Sequence, residues 1–98
     1  MEITYELLSQ FKDRMKISHS KEDENIKKTL SFSYAAIKRK CGEFDIATHE
    51  GGRELVFERA RYSYNDAVEY FDENFASEIT GLALDLYEGD LDETEVQS

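Results

Sequence analysis

Two histidines, one cysteine, a carboxylate cluster and a basic triplet are the side chains whose chemistry could reach beyond packing. Neither His19 nor His49 follows a glutamate at the third position before it. The Glu-x-x-His pair that grips a metal from one helix is therefore missing, as is H-E-x-x-H. Both read as solvated loop histidines. Cys41 has basic neighbours that would favour a thiolate, yet a nucleophile also needs a positioned base, and the local sequence supplies none. It reads as a core residue. Glu69, Asp72 and Glu73 share a face if that stretch is helical. Three carboxylates could hold a cation, but Val68, Phe71 and Phe75 occupy the other side, which is the pattern of a solvated amphipathic helix. Lys38, Arg39 and Lys40 could touch phosphate, though a helix C-terminus is a poor place for an anion. Acidic groups of a neighbouring copy are better partners for them. Tyr62, Tyr64, Tyr70, Phe71 and Phe75 could stack bases, but stacking platforms come with Lys and Arg, and none follows Arg61. There is no Gly-rich phosphate loop and no triad pattern. The expectation is a protein without catalytic residues, metal or cofactor.

The elements that position these residues begin with a long helix over 20–41. Ile26, Leu30, Tyr34, Ile37 and Cys41 recur at steps of four, four, three and four, making one apolar stripe. Ser20 is the candidate N-cap, with Asp23 in the capping-box position. Acids at 22–24 and bases at 38–40 complement the helix dipole at its two ends. Gly42 stands where a left-handed C-terminal residue is wanted.

Ahead of it, 4–15 reads as a short helix capped by Thr4, with Ile3 and Leu8 in the hydrophobic-staple positions. Leu7, Leu8, Phe11 and Met15 form its buried side, and Ile17 tucks under before the linker Ser18-His19-Ser20. Residues 43–52 read as a loop that closes on Gly51-Gly52, anchored by Phe44 and Ile46. A third helix is expected over 53–64, with Val56, Ala60, Tyr64 and Phe57 inward. Asp66 followed by Glu69 suits a fresh helix start, and Val68, Phe71, Phe75, Ile79, Leu82 and Leu86 carry a fourth helix over 66–87. A strand over 79–87, from the alternation of Leu82, Leu84 and Leu86, is the alternative. The fold class is thus all-α: about four helices (4–15, 20–41, 53–64, 66–87) in a single domain, 1–87, with a mobile acidic tail, 88–98.

Composition agrees with a folded helical chain. Its 98 residues suffice for one core, 40% are hydrophobic, and proline is absent. No apolar run nears the roughly 20 residues that cross a bilayer. The acidic start MEITYELL is unlike a secretion signal, and a lone cysteine points to a reducing compartment. The formal charge of −10 is polar along the chain: residues 11–40 carry +5, residues 41–98 carry −13. That disfavours general nucleic-acid binding, since phosphate contacts need a basic face. It suits head-to-tail contact between copies, or simply a solvated acidic surface.

The order of features carries a resemblance as well. LLSQFKDRMKI leads through a polar linker to DENIKKTL, then a long helix closes in AAIKRKCG. A variable loop follows, then ELVFERARYSYNDAVEYFDENFASEITGLAL. Over residues 4–87 this is similar to the small head–tail connector, or head-completion adaptor, proteins of tailed bacteriophages and prophages. The most specific pieces are RARYSYNDAVEYFDENFASEI and the helix end at Cys41-Gly42. The resemblance implies a structural virion protein made in the bacterial cytoplasm and placed at the head–tail junction. It implies a ring of roughly a dozen copies under the portal, with the portal and the next neck or tail protein as partners. DNA passes only as cargo, and no membrane is involved. Candidate contact residues are Lys38, Arg39, Lys40, Glu69, Asp72, Glu73, Asp90, Asp92 and Glu93. The alternative is a small acidic regulator, a DNA mimic or inhibitor, that covers a basic protein surface with its run from Asp66 to Glu95.

Overall fold

A computed structural model describes residues 3–97, with side chains over 3–87. Among the described residues the chain forms five α-helices and no strand: α1 (Tyr5–Met15), α2 (Asp23–Cys41), α3 (Glu50–Tyr64), α4 (Phe71–Asn74) and α5 (Ala76–Gln97). A 3₁₀ turn at Val68–Tyr70 precedes α4. The all-α expectation holds, and 79–87 is helical. The acidic tail expected over 88–98 lies outside the residues whose side chains are described.

α2 is the centre. Every residue of its expected stripe is buried, Leu30 and Ile37 completely. It packs chiefly on α3 and also on α5 and α1. Leu7, Leu8 and Phe11 bring α1 into the same core, and Phe11 meets Phe57 edge-on at 5.6 Å. Ser33 and Ala36 widen the buried face beyond the stripe. Ser33 is fully buried, and its hydroxyl accepts from Arg59 at 3.2 Å. That contact explains how a polar residue sits between two packed helices. Burial lowers the affinity of the Arg59 guanidinium for its proton, and Asp72 opposes this.

Local signals decide most helix ends. Thr4 caps α1 by accepting from the Leu7 amide at 3.2 Å. The chain leaves α1 through Lys16, which takes the left-handed conformation (φ 60°). Paired bonds Lys16 N to Asp13 O and Ile17 N to Lys12 O close the end as a Schellman motif. Ile17 then tucks against the core as expected.

Four sequence expectations need correction. α2 starts at Asp23, not at Ser20, because residues 20–23 form a turn (Asp23 N to Ser20 O, 3.3 Å) and Asp23 is held by Lys12 at 2.6 Å. Glu22 takes the N-cap position without a side-chain bond. Gly42 has φ 115° and ψ 172°, an extended positive-φ geometry and not the left-handed helical one. α3 begins at Glu50, so Gly51 and Gly52 are helical. His49 caps it, its Nδ1 accepting from the Gly52 amide at 2.9 Å, so His49 is a structural residue. The fourth helix is divided. Asp66 (φ 58°) does not start a helix but ends α3, through Asp66 N to Ser63 O and Ala67 N to Tyr62 O. A bend at Phe75 then separates α4 from α5.

An aromatic cluster packs around the bend. Phe71 and Phe75 stack at 4.8 Å, and Tyr62 packs edge-on against both, at 5.7 and 5.6 Å. Asn74 donates to the Tyr62 hydroxyl at 3.1 Å. Across the bend, Phe75 N to Phe71 O and Ile79 N to Phe75 O keep the backbone hydrogen bonds.

Candidate interaction surface

The chemistry-bearing groups picked out from the sequence are mostly engaged inside the fold. The Cys41 thiol is buried and donates to the Ile79 carbonyl at 3.5 Å. Burial pushes that thiol up from its ordinary value, against a smaller opposite pull from Lys40. Tyr34 donates to the Phe44 carbonyl at 2.6 Å and accepts from the Ile46 amide at 3.2 Å, pinning the α2–α3 loop. Among the described residues no cluster of His, Cys, Asp and Glu has the geometry to hold a metal ion, and no helix is long and apolar enough to cross a membrane.

The basic triplet separates into three roles. Lys38 lies over the Tyr34 ring at 4.4 Å and 3.7 Å from Glu43. Lys40 pairs with Asp72 at 2.5 Å. Arg39 is exposed and makes no ion pair among the described residues. Glu69 and Glu73 are exposed beside Asp72. The side chains of Asp90, Asp92 and Glu93 lie outside the described residues.

Tertiary packing creates a surface that the sequence did not advertise, a groove of about 360 Å³ between α3 and α5. α3 contributes Gly51, Glu54, Leu55 and Glu58, and α5 contributes Glu78, Gly81, Leu82 and Asp85. Each set follows one helix face, at steps of three, one and three. Each holds one glycine, one leucine and two acids, and the Phe75 ring joins the leucines in the floor. Gly81 leaves a gap: a methyl group there would meet nothing within 4 Å.

The two acidic walls differ. On α3, Glu54 and Glu58 hold Arg14 of α1 at 2.6 and 3.2 Å, and Glu58 also binds Arg61 at 2.7 Å. The Glu54 hydrogen bond raises the Arg14 pKa against the cost of burial. On α5, Glu78 and Asp85 make no ion pair among the described residues. The negative charge presented for a partner is therefore on α5.

One more feature escaped the sequence reading. Phe32 sits off the buried stripe of α2 and is 70% exposed. Its position two residues after Leu30, on the polar face between Lys28 and Arg39, was the available signal. Nothing comparable marked the groove, since Gly81 reads only as a weak helix position.

No protein-family model matches this chain, and no curated protein or solved structure does.

Proposed function

We propose that this chain is a structural adaptor of the tailed-phage head–tail connector type. In this role it assembles as a ring beneath the portal, lengthens the DNA channel and docks the next neck or tail component. The sequence resemblance over residues 4–87 is one support. The observation that carries the reading is how the side chains are distributed. The thiol, the His49 imidazole and the buried hydroxyls make internal contacts, while Tyr5, Phe32, Tyr70 and Tyr87 and charged groups such as Arg39 and Glu78 face outward. Outward aromatics and an acid-walled apolar groove are docking chemistry. Net negative charge also suits a channel wall, because it repels passing DNA.

The test is electron microscopy of lysates from a phage or prophage lacking its copy of this gene. Separate heads and free tails, with DNA lost, are the expected result. Normal joined virions would end the connector reading. Unpaired Glu78 and Asp85 favour one second reading, an acidic regulator bound to a basic protein surface. In that case the deletion leaves virions intact, and the protein captures one basic partner with strong salt dependence.

A further inference from the structure

We propose that the α3–α5 groove receives the exposed cationic stripe of α2 from a second copy of this chain. This inference names the surfaces through which the proposed ring would form, and for its biological setting it rests on that reading. Both halves of the contact are present on one protomer. The stripe is Lys28, Phe32, Ala35 and Arg39, spaced four, three and four along α2, which keeps it on one face. Phe32 projects from it at 70% exposure. Neither Lys28 nor Arg39 has an ion-pair partner among the described residues. The receiving groove has an apolar floor of Leu55, Phe75 and Leu82, a gap at Gly81, and, one turn to either side of that gap, Glu78 and Asp85, which make no ion pair among the described residues.

Size, polarity and spacing agree. An aromatic side chain needs an apolar recess, and Gly81 opens one where any other residue would place a side chain. With the helices parallel and Phe32 level with Gly81, Lys28 stands about 6 Å back along its helix and Glu78 about 4.5 Å back along α5. Arg39 lies about 10.5 Å forward and Asp85 about 6 Å forward. That leaves Arg39 and Asp85 about 4.5 Å apart along the axes, within the span of an arginine side chain. Two cations then meet the two free carboxylates, and like charges are kept apart. The two surfaces share no residue, so the contact is heterologous and propagates from copy to copy, as a ring requires.

Sedimentation across a concentration series tests this with the full chain. Wild type should associate reversibly, more strongly at low salt than at high salt. Phe32→Ala and Gly81→Leu should each weaken association about tenfold or more. Gly81→Leu fills the recess from open space and removes a helix-weakening glycine, so a melting temperature at or above wild type shows that the loss is not unfolding. Mixing the two variants is decisive. Phe32→Ala keeps an open groove and Gly81→Leu keeps the aromatic, so the mixture should form one-to-one dimers and nothing larger. The doubly reversed chain K28E/R39E should bind E78K/D85K in preference to wild type. A wild-type chain that stays monomeric at millimolar concentration, or variants that associate like wild type, would overturn the contact. The phage readout stays separate: F32A and G81L genes that fully restore joined virions would sink this surface and leave the connector role standing. Self-association with this mutational pattern in a chain whose deletion has no virion phenotype would do the reverse.

Discussion

Lys40 Nζ and Asp72 Oδ2 lie 2.5 Å apart, tying the basic end of α2 to the acidic α4 of the same chain. Two groups that the sequence offered to separate subunits thus meet within one. Their side chains are 37% and 59% exposed, so water competes for both. A double-mutant cycle with Lys40→Ala and Asp72→Ala should give a coupling of about 0.2–1 kcal/mol that fades at high salt. A larger, salt-insensitive coupling would mean that the pair is far drier than its exposure implies.

Tyr34 joins α2 to the loop that follows it, bonding both Phe44 O and Ile46 N. Tyr34→Phe removes the hydroxyl and leaves both backbone groups without that partner. The expected cost is about 1–3 kcal/mol. Hydrogen exchange should report it locally, with faster exchange of the Ile46 amide.

Two glycines inside helices should respond in opposite ways. At Gly52 an added methyl would overlap the Phe44 ring, which fills the space over the first turn of α3. Gly52→Ala should cost about 1–3 kcal/mol through overpacking. Gly81→Ala enters open space and should gain up to about 1 kcal/mol from helix propensity alone. Chemical denaturation of both variants checks the pair, and equal effects would contradict the packing around Gly52.

Lys16 and Asp66 end α1 and α3 in the left-handed region, at φ 60° and 58°. Glycine accepts that conformation without the steric cost of a Cβ. Lys16→Gly should stabilise the chain by about 0.5–1 kcal/mol. Asp66→Gly should gain less, since aspartate tolerates the region better than lysine does. A melting temperature lowered by Lys16→Gly would count against the Schellman closure of α1.

The raised pKa of Cys41 has a pH consequence. Burial favours the neutral thiol in the folded state, so over the pH range where the unfolded thiol ionises the folded chain retains its proton. The unfolded chain then binds fewer protons, and stability falls as pH rises above about 8.5. Relative to Cys41→Ala, wild type should hold a constant advantage well below that pH, and the advantage should narrow as pH rises through about 8.5. Denaturation midpoints at a series of pH values test this, and a gap that widens with pH would reverse the sign.

Much of the architecture was legible in residue spacing. The α2 stripe from Ile26 to Cys41, the inward residues Leu7, Leu8 and Phe11, and the Thr4 cap all follow from helical period and capping chemistry, and each is found in place. Those signals are local, since a stripe at 3.6-residue period depends only on the few residues beside it. The misread ends turn on short capping and turn bonds that the apolar pattern does not specify. Gly51-Gly52 reads as a loop because two glycines weaken a helix, yet the His49 cap starts α3 ahead of them; 66–87 reads as one helix, yet Asp66 closes α3 at positive φ and the chain turns again at Phe75.

The candidate surface divides the same way. Residue order alone carries the helical class, the core face of α2 and the charge split between the two halves of the chain. Packing of the helices is what answers Lys40 with Asp72, holds Arg14 between Glu54 and Glu58, and leaves Glu78 and Asp85 without an ion pair among the described residues beside an open Gly81. The reason is that which charges are left over depends on pairings across 32 to 44 positions of chain, and helix packing sets those distances.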